Sequence, residues 1–188
     1  MIKTKRLGLL TLLALALGFA AACKFYETDK ANKLVDAANT SIKDANDKTQ
    51  SGTSKLVEME AAVPNIEDEE GLTKWRTEAK AIIADLEKAR DGYTDAGNKF
   101  LEASKLKLQD KFKEYLDAKG QEMKKRGEMS AALIAEPQAL IDSNTPEDFK
   151  AKADEVEKKY QDLKKQADDL ESKATKIYEE NKSLFKQS

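Results

Sequence analysis

A chain of 188 residues is long enough for one domain or a simple elongated bundle. Its 33 Lys+Arg nearly balance 35 Asp+Glu, so a net charge of −2 offers no field to gather nucleic acid, and 6% aromatic residues are few for a compact core. With no histidine and a single cysteine, disulfides within the chain, histidine-based triads and most metal sites are excluded.

The first element is an address rather than a fold. Lys3, Lys5 and Arg6 form a positive start, and an apolar run from Leu7 to Ala22 leads to Cys23. That run is shorter than the ~20 residues a membrane-spanning helix needs, so a signal peptide over residues 1–22 is expected instead. The sole cysteine of the chain stands directly after it.

Ala20-Ala21-Ala22-Cys23 resembles the lipobox of bacterial lipoprotein precursors. The resemblance covers residues 1–23, and Ala20 stands where that family prefers leucine. It implies cleavage before Cys23 and a lipid anchor on its sulfur and amine: a covalent diacylglycerol and a fatty acyl chain such as palmitate. No other cofactor is expected. Ordinary secretion is the competing reading, because Ala20 and Ala22 also suit the general signal peptidase. Lys24, by the same resemblance, implies an outer-membrane location facing the periplasm, with the inner membrane as the alternative. Cleavage removes three positive side chains and no negative one, leaving 30 against 35 and a net charge of −5.

Residues 23–28 are then a lipidated cysteine and a short tether, and helical patterning covers 29–188. The first segment, a helix over about 29–62, carries Val35, Ala38, Ile42, Ala45, Thr49, Gly52, Leu56, Met59 and Val63 on one alternating three–four stripe. Gly52 keeps the phase on both sides, so a weak helix is expected there rather than a break. Pro64 ends this segment, and Glu67, Asp68, Glu69 and Glu70 suit the positive end of the next helix.

The middle segment, about 67–135, holds one stripe from Trp75 through Ala79, Ile82, Leu86, Ala89, Tyr93, Ala96 and Phe100 to Ala103. From Leu108 through Phe112, Tyr115, Leu116 and Met123 the stripe moves to another face. The expectation is one continuous helix that changes partner, which would make the molecule a rod lying along its membrane. The alternative is a turn near Gly92–Gly97, giving a compact four-helix bundle. Pro137 is expected to end this segment.

The last helix, about 146–187, opens on Thr145, Pro146, Glu147 and Asp148: an N-cap, a proline at the first helical position and early acids. Phe149, Ala153, Val156, Tyr160, Leu163, Ala167, Leu170, Ala174, Ile177, Asn181 and Leu184 form its stripe. Large and small columns alternate within the first and last stripes, as in an alanine-rich antiparallel coiled coil. The fold class is therefore all-α, an elongated antiparallel coiled-coil bundle of three long helices.

Chemistry-bearing clusters read as surface. Glu67 to Glu70 and Asp168-Asp169 are expected to be solvated, as are Lys124-Lys125-Arg126, Lys158-Lys159 and Lys164-Lys165. Trp75 lies on the stripe, which points to core packing. Met123, Met129, Ala131, Ala132, Leu133 and Ile134 form the least polar stretch after the signal and read as core, or else as a partner-binding tip. No catalytic, metal-ligating or cofactor-binding residue is expected, only the lipidation site Cys23. The function that follows is a membrane-tethered structural or protein-interaction module of the cell envelope, not an enzyme, with a protein or envelope partner and no nucleic acid. A periplasmic carrier of a lipid or small ligand is the alternative. A carboxylate-dependent cell-wall enzyme ranks below both.

Overall fold

The computed structural model describes residues 27–62, 69–142 and 146–185. Four long helices and one short one hold almost all of them: α1 (Thr28–Ala62), α2 (Glu69–Ser104), α3 (Asp110–Asp142), α4 (Pro146–Glu180) and α5 (Lys182–Phe185). There is no strand among the described residues. The protein is a helical bundle.

Successive helices pack against each other, α1 on α2, α2 on α3 and α3 on α4, while α1 and α4 share no comparable interface among the described residues. Each pair is antiparallel. Ser41 meets Asp95 near the start of α1 and Ser51 meets Asp85 further along. Thr94 lies over Gly127 while Gly97 lies over Gly120. The two central helices are thus covered on two sides and the outer two on one.

Burial follows from that order. Trp75, Ala79, Ile82, Leu86, Ala89, Tyr93, Ala96, Phe100 and Ala103 are all buried, so the stripe read along α2 is its core face. In α3, Phe112, Tyr115, Leu116, Ala118, Met123, Ala132 and Leu133 are buried from more than one side, which is why its apolar positions do not keep a single phase. The described stripe positions of α1 and α4 are buried too, with Ile42, Thr49, Tyr160, Leu170 and Ile177 half-exposed at their edges.

Three expectations need correction. The middle segment is not one helix, because the chain reverses at residues 105–109. Nor is the reversal at Gly92–Gly97: both glycines lie inside α2. They are there for close approach. A Cβ on Gly92 would stand 3.2 Å from the Ser41 carbonyl oxygen of α1, and one on Gly97 would stand 2.9 Å from the Gly120 carbonyl oxygen of α3. Gly52, likewise helical as expected, faces Leu86. Finally, Pro137 does not end a helix but sits fully buried inside α3, which continues to Asp142. Proline removes one backbone donor and costs a helix interior ~3 kcal/mol, a penalty that burial of the surrounding turn offsets.

Pro146 is the first residue of α4, as its sequence position implies. Residues 1–26, 63–68, 143–145 and 186–188 lie outside the described residues, and with them the signal peptide, Cys23, Val63, the Pro64 boundary, Glu67, Asp68, the Thr145 cap and the expected end of the last helix near 187.

Candidate functional site

Glu27 is the first described residue and stands directly before α1. Its backbone N–H donates to the Lys107 carbonyl at 2.9 Å, and its carboxylate accepts from the Lys107 N–H at 3.0 Å. Its own carbonyl accepts from the Ala31 N–H and so starts α1. Glu27 is therefore a clamp between the start of α1 and the α2–α3 connection. Cys23 lies four residues earlier, which bounds its distance from this clamp at ~14 Å of extended chain.

The connection itself is built by alternation. In Lys105-Leu106-Lys107-Leu108 both leucines are buried and both lysines exposed, an alternation set in the turn between two helices. Lys105 and Leu106 N–H groups donate to Glu102 and Ala103 carbonyls at 3.1 Å, tightening the end of α2. Gln109 then accepts from Phe112 and Lys113 at 3.0 and 3.2 Å to open α3.

Aromatic rings close the same end. Asn181 terminates α4, its amide donating to the Ile177 carbonyl at 2.8 Å, and α5 carries Phe185 back under the bundle. Phe185 stacks on Phe112 at 4.4 Å between centroids and meets Tyr115 and Tyr178 edge-on at 5.2 and 5.0 Å. Edge-to-face and stacked pairs of this kind each add about 0.5–1.5 kcal/mol beyond burial. Burial of Tyr115 pushes its phenol above its ordinary range. The end of the bundle at which α1 begins is thus a fixed platform.

Elsewhere the charged groups brace helices. Asp85, nearly buried on α2, accepts from Lys55 at 2.7 Å, Ser51 at 2.9 Å and Lys48 at 3.3 Å, all on α1. The Lys55 ammonium, helped by Ser51 and Lys48 and opposed by partial burial, lowers its carboxyl to about 2. Asp95 is lowered in the same way by Lys99 and Ser41. Between α3 and α4, Glu122 is 1% exposed and receives Arg126 at 2.8 Å and Lys119 at 2.6 Å. Arg126 also reaches Glu171 of α4 at 3.1 Å. Burial works against the Arg126 charge, but Glu122 and Glu171 outweigh it and hold the guanidinium above its usual value.

Arg126 is therefore not the solvated residue its neighbours suggest. Lys124 is exposed and Lys125 pairs with Glu128 on the surface, as do Lys164 and Asp168. Lys158, Lys159, Lys165, Asp169 and Glu70 are exposed. Trp75 is buried and its indole N–H donates to the Met59 carbonyl at 3.3 Å, a packing role. Met123, Ala132 and Leu133 are core, Met129 and Ile134 are half-buried, and Ala131 is exposed, all within α3 rather than at a tip.

The charged core was missed in the sequence. Its signal was the placement of Glu122 and Arg126, four apart and of opposite sign, on the same face as Tyr115 and Leu133. No group of three or more potential metal ligands occurs among the described residues, and none of the described helices is long and apolar enough to cross a membrane. No protein-family model, curated protein or solved structure matches the chain.

Proposed function

We propose that this chain is an exported lipoprotein, anchored through acylated Cys23, whose mature part is a compact bundle of antiparallel helices serving as a structural or protein-interaction module of the cell envelope. The observation that carries it is the fall of the only cysteine on the one position after the apolar run where a lipobox requires it. The Glu27 clamp supports it. Because the bundle starts four residues after Cys23, the anchor and the folded body stand within one short tether of each other. Helices of 33 to 36 residues make that body ~50 Å long. With α1 and α3 running away from the clamp and α2 and α4 returning to it, the body stands upright and presents the ends of α1 and α3 to the envelope space. Close approaches such as Gly97 to Gly120 leave little room between helices, which speaks against the carrier alternative.

Growth on radiolabelled palmitate is the test. The wild type takes up label, while Cys23→Ser takes up none and accumulates as an unprocessed precursor. Equal labelling of both ends the proposal.

A further inference from the structure

The long helices form two hairpins, α1 with α2 and α3 with α4, and the hairpins are joined unevenly along their length. At the end where α1 begins, one apolar cluster draws on all four, with Val35 of α1, Phe100 of α2, Met123 of α3 and Ala174 of α4. Toward the other end a second cluster takes Leu56 and Met59 from α1 and Trp75, Ala79, Ile82 and Leu86 from α2. Among the described residues its one buried member from the other hairpin is Leu133, with Ile134, Ile141 and Tyr160 partly buried against the cluster. Ala132 and Ala139 of α3 and Val156, Leu163 and Ala167 of α4 are buried outside both clusters. The far part of the α3–α4 hairpin thus has a seam of its own.

Polar groups divide in the same way. Of the five buried polar side chains among the described residues, Glu122, Arg126, Ser130 and Glu136 lie on α3, from its middle onward. Each displaces an apolar side chain from the buried face, and a buried charge recovers little of its desolvation cost. Arg126 pairs with Glu122 and with Glu171 of α4, as Asp85 of α2 pairs with Lys55 and Lys48 of α1. Those bridges stay within a hairpin and survive if the hairpins part. Close backbone approach between the hairpins is one-sided too. Gly97 meets Gly120, and a Cβ on Gly127 would stand 3.3 Å from the Arg90 carbonyl oxygen.

We propose that this glycine seam is a pivot: beyond Arg90 and Gly127 the α3–α4 hairpin swings away from the α1–α2 hairpin as a body, while the halves nearer Glu27 stay joined. Gly127 lets α3 bend at the pivot, and α4, packed on α3, follows it. In the open form α1 and α2 keep the cluster around Trp75 and Leu86, and α3 and α4 keep their own seam. The contact given up is that of Leu133 and its partly buried neighbours. A movement that breaks so little belongs at the low end of a protein's opening free energies. It uncovers Leu133 and the apolar cluster it joins, at the end of the bundle away from Glu27, and it does not depend on the Cys23 anchor.

Pairs of spin labels in the full chain carrying Cys23→Ser read the motion, all at exposed positions. Asn98→Cys with Gln121→Cys spans α2 and α3 on the joined side of the pivot. Ala81→Cys with Gln138→Cys spans the same two helices on the far side, and Gln138→Cys with Lys159→Cys lies within the α3–α4 hairpin. Helix axes about 8–10 Å apart give all three pairs a short distance in the closed form. The far pair should add a second, longer distance, whose share grows several-fold with Leu133→Ala and in urea below the unfolding transition. Under both conditions the joined-side pair and the hairpin pair should each keep one short distance. A far pair that stays as narrow as the joined-side pair throughout overturns the pivot. So does a hairpin pair that lengthens with the far pair, which is fraying of single helices. A joined-side pair that lengthens with it overturns the pivot as well, because the whole bundle is then unfolding at once.

Discussion

Gly97 and Gly120 face each other across the α2–α3 interface so closely that a Cβ on either would stand 2.9 to 3.0 Å from the other's carbonyl oxygen. Backbone cannot yield as a side-chain tip can. Alanine at Gly97 or Gly120 should therefore destabilise by ~1–3 kcal/mol from overpacking, even though alanine gains up to ~1 kcal/mol in helix propensity. Gly120→Ala should be the worse of the two, because its Cβ also meets Leu101 Cγ at 2.6 Å. Gly52→Ala offers the contrast. It presses only on the Leu86 side chain, at 2.9 Å from Cδ2, and should cost less. Urea unfolding of the three variants gives the order.

The same glycines mark where sequence reading succeeded and failed. Stripe positions from Trp75 to Ala103 were legible because each helix buries a fixed face, and the period of 3.6 records it. Gly92 and Gly97 looked like turn residues, yet a glycine serves a close helix contact as well as a turn, and only the neighbouring helix tells the two apart. The true reversal has neither glycine nor proline. Its signal was Lys105-Leu106-Lys107-Leu108, a brief period-2 alternation where the helical phase lapses, and the shift of stripe after Leu108 was its other trace. For Pro137, local propensity was read correctly and tertiary burial overrode it. Cys23 and the tether rest on sequence alone, and the Glu27 clamp could not be read there, since it pairs residues 80 apart.

Asp85 should make stability depend on acid. Its folded carboxyl is lowered from 3.8 to about 2, so its contribution is present above pH 4 and is lost as pH falls from about 4 through 2. Lys48 and Lys55 are 42% and 47% exposed, so solvent screens the pairs and the loss should be ~1 kcal/mol. In Asp85→Asn that part of the acid sensitivity should vanish. The comparison is the unfolding free energy of the two proteins from pH 5 to pH 2. Parallel curves would remove the bridge from the stability of the α1–α2 interface.

Arg126 and Glu122 should behave as a unit. Removing one partner leaves the other's charge buried, so Arg126→Met or Glu122→Gln alone should cost ~3–5 kcal/mol. Replacing both by methionine should cost less than the sum of the single changes, because no unpaired charge remains. Glu171→Ala should be mild, since that carboxylate is 46% exposed. A double-mutant cycle measures the coupling, and additive single effects would mean the pair is not energetically linked.

On α4, Leu163 and Ala167 are 7% and 1% exposed, one large and one small residue on the face toward α3. Leu163→Ala should cost ~2–5 kcal/mol through the cavity it leaves. Ala167→Leu should cost ~1–3 kcal/mol through the opposite fault, overfilling a close approach. Both are read by chemical denaturation. Neutral results for both would place α4 away from α3.

The reversal at residues 105–109 decides how the molecule stands, and one distance tests it. An unbroken middle helix separates Ala84 from Gln121 by 37 residues, ~55 Å at 1.5 Å each. Such a helix would run past the start of α1 and, with the anchor proposed at Cys23, would lay the rod along the membrane. With α3 folded back on α2, Gly120 lies beside Gly97, only 13 residues from Ala84. The axial offset is then ~20 Å, and a helix spacing of 8–10 Å adds little to it. Both positions are exposed, so spin labels at Ala84→Cys and Gln121→Cys in the mature chain carrying Cys23→Ser disturb no core contact. The expected separation is ~20–30 Å once label arms are allowed for. A value near 55 Å would restore the continuous helix and the tangential rod, and would remove the basis for an upright bundle.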